Sequence, residues 1–229
     1  MNSKAIAPSE SNTGDAIYLA MRTQIITAQL QPGERLVQRQ LAKQFGSSNI
    51  PIVEAIRRLE SEGLVVSHPN AGARVKVWDE DDIRGAFLAR EALEGVACRI
   101  FVEQASPREK ARLTEMGQKI DEACVAEDIE ELFRTDIAFH LYVAGEYNPK
   151  AQASALFRLV QSSCLLTATI RGGSFDGRLE VKPMESYRNH NELIVALQGN
   201  DPDLAEQLGK KHVRTVLEAY NRNIAENLV

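Results

Sequence analysis

The sequence predicts a mainly α-helical protein in two parts: a small unit of short helices and a two-stranded ribbon over residues 15–78, then an all-α bundle over 79–229. Three observations carry this. The composition favours helix, with aromatic residues at only 6% and Ala, Leu, Ile, Glu, Arg and Gln recurring throughout. Strand-like residues gather in one place, Leu64-Val65-Val66 and Arg74-Val75-Lys76-Val77, on either side of the turn Pro69-Asn70-Ala71-Gly72. Charge divides at the same boundary. Residues 1–78 hold nine Lys and Arg against six Asp and Glu (net +3), and residues 79–229 hold eighteen against twenty-six (net −8), together the −5 of the whole chain.

That division is the expected footprint of a basic nucleic-acid-binding unit joined to an acidic partner, with chance segregation of solvated charge as the alternative. At 44% hydrophobic and 26% charged the 229-residue chain has an ordinary globular composition. No apolar run approaches a membrane span, and the polar N-terminus lacks a signal-peptide pattern. Cys98, Cys124 and Cys164 are widely spaced, with no Cys-x-x-Cys. The expectation is a cytoplasmic protein with buried, unbridged thiols.

Residues 1–14, polar and without periodicity, read as a disordered lead-in. Asp15 caps a helix over 16–30, whose Ile17, Ala20, Met21, Ile25 and Ala28 share a face. Pro32-Gly33 turns the chain. A short helix over 38–45 directs Leu41, Ala42 and Phe45 inward and stops at Gly46. The next, over 51–62, has Pro51 at its first position and Gly63 as its C-cap. Two short helices followed by a ribbon make a winged helix-turn-helix, an arrangement that lays its second helix in a DNA major groove. Asp79-Glu80-Asp81-Asp82 suits a helix start and marks the boundary. Beyond it six helices are expected, at about 80–104, 107–126, 128–146, 149–171, 183–199 and 201–226. Ser106-Pro107, Asn148-Pro149 and Asp201-Pro202 supply start signals, and Gly172-Gly173-Ser174 and Pro183 bracket a long loop.

The first part resembles the GntR family of bacterial transcription regulators. The residues that carry the resemblance are Pro32-Gly33, Leu36, Leu41-Ala42, Phe45-Gly46, Ser48, Pro51, Glu54-Ala55, Leu59-Glu60, Gly63-Leu64 and Gly72. The second part resembles the FCD ligand-binding domain of the subfamily typified by the fatty-acid-responsive regulator, in its shorter six-helix version. Here the matching residues are Arg90, Leu93-Glu94, Asp136, Phe139-His140, His190 and His212. Such proteins usually read Ser-Arg-Thr-Pro-x-Arg-Glu-Ala at the start of the recognition helix. This chain has Ser48-Asn49-Ile50-Pro51-Ile52-Val53-Glu54-Ala55, so Asn49 and Val53 replace both arginines and Ile50 the threonine. Arginine forks onto guanine and pairs with phosphate, so DNA binding with altered base preference is expected. Candidate DNA contacts are Arg39, Ser48, Asn49, Arg57, Arg58 and Gly72. For Arg57 and Arg58 a solvated helix face is the alternative.

Of the four histidines, His68 falls in the wing, and His140, His190 and His212 fall on separate helices of the second part. Asp136 lies four residues before His140, on the same helix face. By spacing alone, hydrogen-bonded structural histidines are the commoner arrangement. The resemblance implies instead that Asp136, His140, His190 and His212 hold a divalent metal, zinc foremost, with nickel, manganese and iron compatible with the same donors. It also implies a small carboxylate or sugar-acid effector. Arg90, Arg171, Tyr187 and Asn191 are the candidates to bind it, and a salt bridge from Arg90 to Glu94 is the alternative for that residue. A ligand-responsive homodimeric regulator, by default a repressor on a palindromic operator, is the leading function. A regulator with a degenerate reading head is the second. A metal-dependent enzyme is the third, and it lacks a general base beside the ligands, a Gly-rich phosphate loop or a nucleophile motif.

Overall fold

The computed structural model describes residues 14–27, 29–68, 71–171 and 190–227. The expected lead-in up to residue 13 and the expected loop from Gly172 to Pro183 lie outside them. The described chain falls into two compact units that part between Trp78 and Asp79, and it is mainly α-helical.

The first unit is a three-helix winged fold. Helix α1 (Gly14–Ile26) buries Ile17, Tyr18, Met21, Ile25 and Ile26. It begins earlier and ends earlier than the periodicity predicts, since the chain leaves the helix before Gln31-Pro32-Gly33. Strand β1 (Arg35–Leu36) precedes α2 (Gln38–Gln44), α3 (Asn49–Ser61), β2 (Val65–His68) and β3 (Gly72–Val75). The sheet is antiparallel in the order β1-β3-β2, with Leu36 opposite Ala73 and Val65 opposite Val75. Two residues are too few for an alternation to register, so β1 has no sequence signal. Leu36, Leu41, Ile52, Ala55, Ile56, Leu59, Leu64 and Val75 close the core against α1, while Phe45, expected inward, is half-buried. Helix α3 starts two residues before Pro51, with Ser48 as N-cap in extended conformation. Proline is tolerated at its third position because the N–H groups of the whole first turn lack intrahelical partners.

The second unit contains α4 (Glu80–Gln104), α5 (Pro107–Val125), α6 (Ile129–Leu141), α7 (Pro149–Gln152), α8 (Ala155–Arg171), α9 (His190–Gln198) and α10 (Pro202–Asn227). The sequence signals for its starts are used as hydrogen bonds. Asp79 with Asp82, and Ser106 with Glu109, form reciprocal capping boxes, and Asp128 and Asn148 cap α6 and α7. Two expected helices are broken. The helix expected to reach residue 146 opens into a π-helical turn at Tyr142–Glu146, where Gly145 has φ 134°. The helix expected over 149–171 is interrupted at Ala153-Ser154, separating α7 from α8. Helices α4 and α10 pack closely. A Cβ at Gly95 would lie 2.7 Å from the Lys210 side chain, and one at Gly209 would lie 2.7 Å from Cys98 Sγ. That approach brings His212, one turn beyond Gly209, toward the face of α4 carrying Glu94. All three cysteines are buried and none forms a disulfide.

Candidate functional site

Five helices of the second unit, α4, α6, α8, α9 and α10, converge on one buried polar centre. Helix α6 contributes Asp136 and His140, one turn apart, α9 contributes His190 at its first residue, and α10 contributes His212. Each is at most 5% exposed. One ligand atom from each histidine lies within 4.8 Å of the others, a spacing of the order expected for ligands on one ion, whose bonds are each ~2.1 Å. Asp136 Oδ1 lies 3.2 Å from His190 Nε2 and 3.6 Å from His140 Nε2. Phe139 walls the cluster, its ring edge-on to His140 at 5.4 Å and to His190 at 5.0 Å between centroids.

Helix α4 supplies the surrounding shell. Glu94 accepts from Arg90 Nε at 2.5 Å and from the Cys164 thiol at 3.5 Å through one oxygen, and its other oxygen contacts His140 Nδ1. Arg90 Nη1 donates to Thr167 Oγ1 at 2.7 Å. Arg90 is therefore committed to Glu94 and Thr167, the ion-pair alternative rather than an open fork for an anion. Glu94 itself is absent from the expected site residues. Glu94 is among the residues that carry the FCD resemblance, but its position one turn after Arg90 reads as an ordinary helix pair.

The electrostatics follow from burial among these groups. Burial opposes the charge on Glu94, but Arg90 and His140 overcome it and hold the carboxyl well below its usual range. Burial also works against a charged His140, yet the Glu94 carboxylate holds that imidazole above its usual value. Burial pushes His212 well below its usual value, and the neighbouring His190 and His140 push it the same way, so His212 stays neutral. Burial raises the Cys164 thiol, which stays protonated. Buried polar atoms normally have hydrogen-bond partners, yet His140 Nε2 and His212 Nδ1 have none among the described residues. Imidazole nitrogens without hydrogen-bond partners beside a carboxylate are the donor set a divalent ion requires, and the ion would displace any proton they carry. The residues present fit such an ion.

The other effector candidates are not assembled there. Asn191 is exposed, because one residue of helix rotation carries it about 100° away from His190. That corrects its expected place in the pocket. Tyr187 and the side chain of Arg171 lie outside the described residues.

On the first unit, Arg39, Ser48, Asn49, Arg57 and Gly72 are all exposed. Asn49, Ile50, Val53, Glu54 and Arg57 line a single surface hollow along α3. Arg58 belongs to a different face. It pairs with Asp15 and stacks over the Tyr18 ring at 3.8 Å, while Tyr18 Oη donates to Glu62 at 2.5 Å. Arg58 thus ties α3 to α1, contrary to its expected role at DNA. Two further cations border the ribbon. Arg35 lies beside Gly72, and Arg74 donates to the Gly33 carbonyl at 2.9 Å.

Residues 13–75 match the family model for bacterial regulatory proteins of the gntR family, and residues 86–215 match that of the FCD domain. The chain is 24% identical over 215 residues to the HTH-type transcriptional repressor RspR of Escherichia coli (strain K12), covering 92% of this chain and 90% of that protein. It is 24% identical over 207 residues to the HTH-type transcriptional regulator McbR of the same strain, covering 88% and 91% respectively. The solved structure of E. coli McbR/YncC superposes with a TM-score of 0.75 at 21% identity, over 91% of this chain and 97% of that one, a likeness of fold.

Proposed function

Because the chain belongs to the GntR family of bacterial regulatory proteins, with an FCD domain as its second unit, it is a transcription regulator, and we propose that it is a metal-containing, ligand-responsive repressor. In this reading residues 15–78 bind a palindromic operator as part of a cytoplasmic homodimer. Residues 79–229 bind the metal and a small carboxylate or sugar acid, and carry the dimer contacts. The relative RspR is a transcriptional repressor, and repression is the default direction of this reading.

The observation that carries the metal assignment is the convergence of Asp136, His140, His190 and His212 in a buried centre, with His140 Nε2 and His212 Nδ1 lacking hydrogen-bond partners among the described residues. FCD domains are associated with metal ions in general, which supports the same assignment. A bound divalent ion would supply open coordination positions for an effector carboxylate. The chain's own groups do the rest. Asp136 contributes charge, His212 a neutral nitrogen, and Glu94 holds the His140 ring by accepting its Nδ1–H. Arg90 keeps Glu94 ionised. Arg171 and Tyr187 retain their assignment to the effector on sequence grounds. Effector binding then acts by linkage: it favours packings of the helical unit with lower operator affinity, by the ratio of its affinities for the two states.

The test is elemental analysis of the purified chain, followed by titration of zinc, nickel, manganese and iron into chelator-stripped protein. A stoichiometric ion, lost in His140→Ala and in His212→Ala, is expected. A folded protein that takes up none of these ions sinks the metal reading. A mobility shift on the chain's own upstream region at low salt tests the operator reading in the same way, and no shift with or without metal would sink it.

A further inference from the structure

Resting on the assignment of the first unit as a DNA reader, we propose that α3 reads an A·T core, with Asn49 on adenine and Ile50 and Val53 on thymine methyl groups. The recognition helix of such a unit contacts base edges with its N-terminal residues. In this chain those residues are Asn49, Ile50 and, one turn on, Val53, and they line one surface hollow. Ile50 is 79% exposed, next to the exposed Asn49 at the start of the helix. Its exposure is relieved if the surface meets an apolar partner. In the major groove the only such group on an unmodified base is the C5-methyl of thymine. Asn49, also exposed, has the paired acceptor and donor that match adenine N6 and N7.

The first two turns of that surface lack what guanine requires. Guanine presents two acceptors, N7 and O6, and is read by a cationic fork. No Lys or Arg occurs from Ser48 to Ala55. Glu54, whose carboxylate could accept from cytosine, lines the same hollow, but its Oε2 lies beside α1, where a Cβ on Gly14 would come within 3.0 Å of it. Arg57 lines the same hollow but lies eight residues beyond Asn49, about 12 Å farther along the helix axis, and is assigned to phosphate.

The experiment uses the full chain, stripped of added effector, and a pool of randomised duplexes at low salt. Selected half-sites are expected to carry A·T pairs at their centre. Replacing the thymines of a selected site with uracil removes only the methyl groups, and is expected to weaken binding about fourfold for each methyl contacted. Ile50→Ala combined with Val53→Ala is expected to bind thymine and uracil duplexes equally. Ile50 is at the surface and Val53 is half-buried, and a melting curve confirms that the variant is folded. Asn49→Arg is expected to shift one selected position from adenine to guanine. Selection of a G·C core, or indifference to uracil with binding intact, overturns this inference while leaving the DNA-binding reading in place. Absence of binding to any duplex at low salt overturns both.

Discussion

Glu94 concentrates the chemistry of the second unit in one side chain. It accepts from Arg90, His140 and Cys164, and by doing so it orients the imidazole, whose Nε2 has no hydrogen-bond partner among the described residues. Partners of this kind commonly change metal affinity by about ten- to a hundredfold when removed. Glu94→Gln is therefore expected to weaken metal binding by that factor, measured by competition with a chelating indicator at low temperature. It also leaves the Arg90 charge buried without its partner, so a loss of about 3–5 kcal/mol in urea unfolding is expected. On the first unit two adjacent arginines should separate cleanly. Arg58→Ala removes a half-exposed ion pair and a stacked ring, worth together about 1 kcal/mol of stability, and should leave DNA affinity nearly unchanged. Arg57→Ala should leave stability unchanged and weaken DNA binding across all sequences, lowering the salt slope by about one. Equal effects of the two variants on operator affinity would contradict the division of roles drawn from the Asp15 and Tyr18 contacts.

The elements were legible in the sequence to different degrees, for physical reasons. Helix starts were clear where a capping side chain and a proline coincide, as at Ser106-Pro107 and Asn148-Pro149, because these signals act within four residues. Breaks inside apolar stretches were not. Nothing in the apolar spacing of 128–146 distinguishes a continuous helix from one that opens at Tyr142–Glu146. The opening depends on Gly145 at φ 134°, where a Cβ would lie 2.7 Å from Ala151 Cβ. Gly145→Ala is expected to cost about 1–3 kcal/mol, read as a lower urea midpoint. An unchanged midpoint would mean that the turn relaxes without strain. The start of α3 was placed two residues late because proline favours the first helical position without requiring it.

For the whole molecule, the consequence of the proposed centre is linkage between metal occupancy and stability. An ion bound by the native state stabilises it by about 2.7 kcal/mol when its free concentration is a hundred times its dissociation constant. Chelation should lower the melting transition of the helical unit and leave that of the winged unit in place. A transition insensitive to both chelator and added metal would count against the centre. The sequence by itself determined the family and the mainly helical class. It also named the altered reading surface and the four metal candidates, since these rest on local spacing and on residue types matched position by position. Only the tertiary structure decided that Arg90 is consumed by Glu94 and Thr167, that Arg58 serves α1, that Asn191 faces outward and that Glu94 belongs to the centre. Those facts depend on which helix faces meet, and the meeting of α4 with α10 is set by packing at Gly95 and Gly209, far from one another in the chain.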